Sequence, residues 1–297
     1  MLLVPEEYNL NLQTAANKVE INSPESTKLV CHKEFVIDSY FIGEEQEYFQ
    51  LVCKKIQTKL FKLTAHTPSS ILLNVYNTIE AHDLVINNAH TDKSSVLAIK
   101  KLLIADAGRI DIKKGLVKLD SVYANRLNCI LEGDIEWGMT QVKDLETISV
   151  GDSFSVDCLE VESGFLCLNV SKVKIYLKKV EEHLIIVVNL TKLKEFDFKV
   201  DDSYLEDTEF SYKVKQIDYK QGESMSSLKE DIERHGKSEE NKKKVTVYFY
   251  IEDNQSQKKD LLKFEYMSYF ESLKERLKNK NPPQRGKKNG KAKKGNN

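Results

Sequence analysis

Four basic residues in the segment GRIDIKKGLVKLD, residues 108–120, could grip the phosphates of a polyanion. Apolar residues alternate with charged ones on both sides of Lys-Lys-Gly, which predicts a tight hairpin that holds lysines out to solvent. Such cations can track the backbone of a single strand along a small β-barrel. The candidate nucleic-acid-binding residues of this segment are Arg109, Lys113, Lys114 and Lys118, and the alternative, which the absence of aromatic residues in the segment favours, is an ordinary hairpin with a soluble tip.

The C-terminus is a second candidate for polyanion binding. From Lys274 onward the chain has ten basic residues and one acidic residue, a net charge of +9, whereas the part of the chain before Lys274 sums to −10. A flexible cationic tail binds phosphates through a salt-sensitive contact without sequence preference. The alternative is that the tail only targets the protein to a compartment or keeps it soluble. The tail residues predicted to bind are Arg285, Lys287, Lys288, Lys291, Lys293 and Lys294.

Catalytic and metal-binding patterns are missing from the sequence. Gly236-Lys237-Ser238 lacks the earlier glycine and the apolar strand of a phosphate-binding loop, and no His, Cys or Asp set has zinc spacing. We therefore predict a non-enzymatic protein with no catalytic residues, no bound metal and no cofactor. A deep pocket lined by several carboxylates or histidines would instead indicate an enzyme.

The sequence also carries signals about the compartment. The five cysteines include no Cys-x-x-Cys pair, and most lie in apolar runs, which is typical of reduced core thiols in an intracellular protein. MLLVPEEYNL has no basic segment of a signal peptide, and no apolar run approaches the roughly 18 residues of a membrane helix. We predict no membrane partner and an intracellular location, in a cytoplasmic ribonucleoprotein granule rather than the nucleus.

Short runs of strand-forming residues, separated by polar breaks, dominate the chain. They predict a mainly β fold of two or three small β-barrel or sandwich domains, with a C-terminal helix and a disordered basic tail. The predicted units are an irregular arm at 1–27, a β-rich domain at 28–95, tandem small barrels of OB or cold-shock type at 96–220, a polar linker or insertion at 221–244, a hairpin plus helix at 245–278, and the tail at 279–297.

Several local patterns refine this prediction. Phe196–Val200 and Val245–Ile251 are typical strands, and Tyr266, Phe270, Leu273 and Leu277 have the spacing of an amphipathic helix. Gly133-Asp134 and Gly151-Asp152 are two similar pairs in succession, which does not by itself establish a repeat. Trp137, the one tryptophan, is either a core residue or a surface for base stacking.

Residues 101–142 resemble the small β-barrel repeated at the N-terminus of Armitage-like RNA helicases of the piRNA pathway, and related germline proteins without the helicase. The resemblance rests on Gly108-Arg109-Ile110-Asp111, Leu119-Asp120-Ser121-Val122 and Gly133-Asp134, in that order. The strand that is usually rich in Tyr and Phe is Leu116–Leu119 here. Because no helicase core is present, the resemblance implies an accessory protein.

Two functions follow as expectations. The first is a non-enzymatic accessory protein of a ribonucleoprotein pathway, for example a germline small-RNA pathway, which binds single-stranded RNA or another polyanion together with protein partners. The second is a protein–protein interaction scaffold with acidic β-domains and no direct contact with nucleic acid. In the second, partners dock on sheet edges or on an exposed aromatic face such as Tyr248, Phe249 and Tyr250.

Overall fold

The structure is a computed structural model of the 297-residue chain. It describes residues 2–3, 10–14, 18–22, 28–30, 34–39, 47–65, 69–89, 94–201, 208–217, 243–252, 271–272 and 275. No helix within these ranges combines the length and the apolar character needed to cross a membrane.

Twelve strands make up most of the described chain. They are β1 (Leu2–Leu3), β2 (Leu10–Thr14), β3 (Lys18–Asn22), β4 (Lys28–Val30), β5 (Glu34–Ser39), β6 (Glu47–Ala65), β7 (Ser69–Asn88), β8 (Ser95–Ile99), β9 (Leu102–Asn189), β10 (Glu195–Val200), β11 (Thr208–Ile217) and β12 (Lys243–Glu252). The predicted strands at 196–200 and 245–251 are confirmed by β10 and β12. Residues 1–27, predicted to be irregular, include β1, β2 and β3.

Every pairing between these strands is parallel, and together they form a parallel β-solenoid of about six turns. The chain is mainly β, but the predicted small barrels or sandwiches of OB or cold-shock type are wrong. Each turn of the chain stacks on the previous one instead of folding back beside itself. A parallel stack buries a continuous core between its faces, as in other repeat architectures.

The predicted hairpin at residues 108–120 is also wrong. Residues 108–112 pair with 84–88 of β7, and 115–119 pair with 95–99 of β8. Gly115, between the two runs, has a φ of +147° and turns the chain around a corner of the coil. The segment therefore forms parts of two adjacent faces, and its charged side chains do not share one hairpin surface.

Stacked glycines form one corner of β9. A Cβ atom on Gly133 would clash with the carbonyl oxygen of Gly115, and a Cβ on Gly151 would clash with that of Gly133. Gly133 also has a φ of +135°, a conformation that costs other residues free energy. The three glycines follow one another at a constant interval of 18 in the numbering, and this interval is the length of one turn of the coil here.

The core lies inside the coil and is built from alternate residues of each face. Val117, Leu119, Ile135 and Trp137 are buried, whereas Lys118 and Glu136 between them are exposed. This is the period-two pattern of a half-buried strand. Trp137 is 1% exposed and packs edge-on against Phe154 of the next turn, with ring centroids 5.7 Å apart. Trp137 is therefore a core residue and not a surface for base stacking.

A second apolar cluster lies on the outer side of the last turns. It consists of Cys167, Ile185, Val187, Tyr248 and Tyr250, all buried. Phe249 faces the main core. The aromatic face that the sequence offered as an exposed docking surface is therefore buried. Cys53, Cys129 and Cys167 are buried, as predicted for core thiols, and Cys53 and Cys129 are free.

The C-terminal part is described only at a few positions. Glu271, Ser272 and Glu275 have helical backbone geometry, and the Tyr212 hydroxyl donates a 2.9 Å hydrogen bond to Glu271. The apolar residues of the predicted amphipathic helix lie outside the described residues, as do the basic tail and residues 221–242 of the predicted 221–244 linker; Lys243 and Lys244 begin β12.

Candidate ligand groove and predicted basic sites

The four basic residues of the 108–120 segment are separated by the corner at Gly115. Arg109 contacts Asp111, two residues along, through Nε and Nη2 at 2.7 Å. Lys118 donates to Glu136, one turn further along, at 3.2 Å. Lys113 and Lys114 lie at the corner itself, and Lys114 is exposed. The structure therefore does not bring these cations together, and two of them already face carboxylates.

The remaining predicted nucleic-acid-binding residues belong to the tail. Arg285, Lys287, Lys288, Lys291, Lys293 and Lys294 lie outside the described residues.

A groove crosses several turns on another face of the solenoid. It has a volume of about 530 Å³ and lies open to solvent. Its wall is a grid of outward side chains, in which equivalent positions on successive turns differ by 18 to 20 in the numbering. One column contains Leu103, Tyr123, Gln141 and Glu160, and the neighbouring column contains Ala105, Asn125, Lys143 and Glu162. Stacked strands lie about 4.8 Å apart, so each column presents a new side chain at that interval.

Three alanines are among the residues that line the groove. Ala105 is exposed, whereas Ala81 belongs to the core and Ala124 packs against it. Asn125 donates a hydrogen bond of 2.5 Å to the carbonyl oxygen of Ala105 on the previous turn. This bond fixes the Asn125 amide and leaves its side-chain oxygen available as an acceptor.

Tyr123 provides an aromatic surface in the groove. Its hydroxyl donates to the Met139 sulfur at 3.2 Å, and the Lys101 ammonium lies 5.4 Å from its ring centroid. The two contacts fix the orientation of the ring. One tyrosine with a defined orientation therefore lies beside the polar columns.

Most of the charged groups in the groove form ion pairs. Glu80 is 2.9 Å from Lys55, Glu160 is 2.7 Å from Lys178, and Glu181 is 2.5 Å from Lys179. The hydrogen bond from Lys179 lowers the pKa of Glu181, and the fields of Lys179 and Lys143 act in the same direction. Each of these three carboxylates therefore has a lysine ammonium group as its partner.

This pairing bears on whether the groove could be catalytic. Acid–base catalysis by two carboxylates needs environments that keep one protonated and the other ionised. Three of the four groove glutamates each lie next to a lysine, so ion pairing does not distinguish those three from one another.

A second polar cluster lies at the next corner. The register between β7 and β9 shifts between Ala81 and Leu84, and His82, Asp83 and Asp106 meet there. Their ligand atoms lie within 4.8 Å of one another, which resembles a metal site. However, Arg126 donates to Asp106 at 2.6 Å, and this bond, with the fields of Asp144 and Asp83, raises the pKa of Arg126. The guanidinium supplies the cation, so we assign an ion-pair cluster.

The groove residues were not identified by the sequence. Tyr123, Gln141 and Glu160 are far apart in the chain and match no motif. The available signal was the spacing of the two Gly-Asp pairs, which marks the length of a turn and thus which residues share a column.

The comparisons with known proteins found no match to this chain among family models, curated proteins or solved structures.

Proposed function

We propose that the chain is a non-enzymatic interaction scaffold whose central turns bind a cationic protein surface, without contact between the solenoid and nucleic acid. The supporting observation is the charge of the coil at residues 115–171, which has ten acidic and three basic residues, a net charge of −7. A surface of this sign repels phosphates and attracts cations at long range.

The basic residues of the flanking turns do not offset this field locally. Residues 94–114 and 172–201 carry net charges of +3 and +2, so the negative charge is concentrated in the middle of the solenoid. Arg109 and Lys118, which were candidates for gripping RNA, are each paired with a carboxylate. An RNA strand along this surface would have to displace those partners.

Several carboxylates of the central turns are available to a partner. Asp120, Glu132, Asp134 and Asp152 are exposed and make no ion pair within the part of the chain that the structure describes. Lysine and arginine side chains of a partner could pair with them at little desolvation cost. Exposed charges of this kind mainly raise the association rate and are screened by salt.

The test uses the full-length protein with the six tail cations at 285–294 replaced by glutamine. We expect this variant to bind a fluorescent decalysine peptide and not a single-stranded 20-mer of RNA in fluorescence anisotropy at low salt. Replacing Glu132, Asp134 and Asp152 with lysine should abolish peptide binding, whereas replacing Lys192 and Lys194 with glutamate should not. The proposal would be refuted if the tail variant bound RNA and lost this binding when Arg109, Lys113, Lys114 and Lys118 were also replaced.

RNA binding by the tail is a second candidate function, supported by its net charge of +9. In this case the full-length protein binds single-stranded RNA with an affinity that falls linearly with the logarithm of salt concentration. The glutamine variant of the tail loses that binding. Binding that persists unchanged in the variant would contradict this role. The ribonucleoprotein setting, the likeness to Armitage-type repeats and the cytoplasmic granule stay predictions.

A further inference from the structure

Three side chains of the groove have no hydrogen-bond or ion-pair partner among the described residues. Gln141, Lys143 and Glu162 line the groove, and none makes a side-chain hydrogen bond or ion pair within the parts that the structure describes. Gln141 offers an amide donor and acceptor, Lys143 offers donors, and Glu162 offers acceptors. Together they present hydrogen-bonding capacity of both kinds toward the solvent-filled groove.

The charges of these groups balance. Lys143 and Glu162 contribute one charge of each sign, and the other groove carboxylates, Glu80, Glu160 and Glu181, are each neutralised by a lysine. A strongly charged ligand would gain attraction from one of the two groups and repulsion from the other. The groove therefore matches a ligand that is uncharged but rich in groups that both donate and accept hydrogen bonds.

The shape of the groove favours an extended, repeating ligand. Its two columns run across successive turns, and its volume of about 530 Å³ falls within the range of small-ligand sites. Tyr123 adds one apolar ring surface with a fixed orientation, against which the apolar face of a ring can pack. Hydroxyl groups along such a chain would meet the amide of Asn125 and the polar side chains of the next turns.

We propose that this groove binds an uncharged oligosaccharide of several sugar units, which lies across the turns with one ring against Tyr123. Sugar hydroxyls accept from Lys143 and Gln141 and donate to Glu162 and to the Asn125 oxygen. Hydrogen bonds to the two charged groups are the stronger ones. This site is separate from the exposed carboxylates of the proposed scaffold surface, so either proposal can fail without the other.

The test is isothermal titration of the full-length protein with maltotetraose, cellotetraose and mannotetraose. We expect saturable binding of at least one, with an affinity that changes less than twofold between 50 mM and 500 mM salt because no charge is exchanged. Tyr123→Ala and Gln141→Ala should each weaken binding about tenfold, the loss expected for one well-placed contact. Ser155→Ala, on a different face, is the matched control and should leave the affinity unchanged.

Charge-neutral variants distinguish the ligand class. Lys143→Gln and Glu162→Gln keep hydrogen-bonding groups but lose the charge that strengthens the bonds, so sugar binding should weaken by no more than about tenfold in each. Trigalacturonate is the anionic probe: if it binds more tightly than the neutral sugars and this binding is lost in Lys143→Gln, the ligand is anionic and the proposal is wrong. Trilysine is the cationic probe: if it binds and this binding is lost in Glu162→Gln, the ligand is a basic peptide and the proposal is wrong. Circular dichroism confirms that each variant is folded. Absence of saturable binding to all three neutral tetrasaccharides up to 10 mM, or equal losses in Ser155→Ala and Gln141→Ala, would also refute it.

Discussion

Replacing Gly133 with alanine should strongly destabilise the solenoid. Gly133 has a φ of +135°, and an alanine in such a region costs about 1–3 kcal/mol. The new Cβ would also clash with the carbonyl oxygen of Gly115, so the two turns must separate at this corner. Losing about two hydrogen bonds between the turns adds about 1 kcal/mol each. We expect a total loss of about 3–5 kcal/mol in the free energy of unfolding.

Gly164→Ala is the matched control. A Cβ at Gly164 would meet the side-chain end of Leu184 at 2.9 Å and no backbone atom closer than 3.6 Å. The leucine can move aside, and the substitution reduces the freedom of the unfolded chain, which stabilises by about 0.4–1 kcal/mol. We therefore expect Gly164→Ala to change the free energy of unfolding by less than about 1 kcal/mol.

The assay is denaturation in guanidinium chloride, followed by tryptophan fluorescence and circular dichroism. Trp137 is buried one face away from Gly133 in the same turn, so its fluorescence reports directly on that part of the coil. The strain at φ and the lost hydrogen bonds together predict several kcal/mol for Gly133→Ala. Tight stacking of the glycine corner would be refuted if Gly133→Ala lowered the free energy of unfolding by less than about 1 kcal/mol, or by no more than Gly164→Ala does.

Three further measurements test the core and the groove. Thr147→Val should raise the free energy of unfolding by about 1 kcal/mol, because the Thr147 hydroxyl is buried without a hydrogen-bond partner; a lower midpoint in guanidinium would contradict this. Iodoacetamide at pH 8 should leave Cys53 and Cys129 unmodified in the folded protein, because burial raises the pKa of Cys53 to about 12 and also raises the pKa of Cys129. Mass spectrometry measures the modification, which should become complete in denaturant. Lys179→Gln should raise the pKa of Glu181 toward its ordinary value in an NMR titration, since Lys179 lowers that pKa. The stability that this ion pair contributes is present above the ordinary glutamate pKa and is lost as the pH falls through the lowered pKa of Glu181.

The sequence predicts strands well but not how they stack. Alternation in Phe196–Val200 or Val117–Leu119 marks one buried face, and the same alternation occurs in antiparallel hairpins and in the faces of a solenoid. Lys113-Lys114-Gly115 has the composition of a tight turn, and only the pairing of the flanking residues with β7 and β8 shows a corner. The local pattern therefore could not separate the two architectures.

The repeat was difficult to recognise because its length is not constant. Gly115, Gly133 and Gly151 keep an interval of 18, whereas β8 and β9 pair at an interval of 20, and β6 and β7 pair at 22 to 23. Each extra residue is accommodated at a corner, as at the register shift beside His82. A search at one fixed period detects only the central turns, where two Gly-Asp pairs were visible.

Side chains at equivalent positions of successive turns form columns on this fold. Functional residues should therefore be sought along a column and not along one segment of the chain. Lys118 and Glu136, or Glu160 and Lys178, are neighbours although each pair is separated by a full turn of the chain. A segment that looks basic along the chain, such as residues 109–118, can therefore be neutralised by the turn above or below it. The field at the surface depends on the sum over adjacent turns, and that sum is −7 across residues 115–171. A polyanion site on this solenoid would need cations repeated once in every turn, whereas the central columns of the groove hold acidic groups, amides, a tyrosine and one lysine, Lys143.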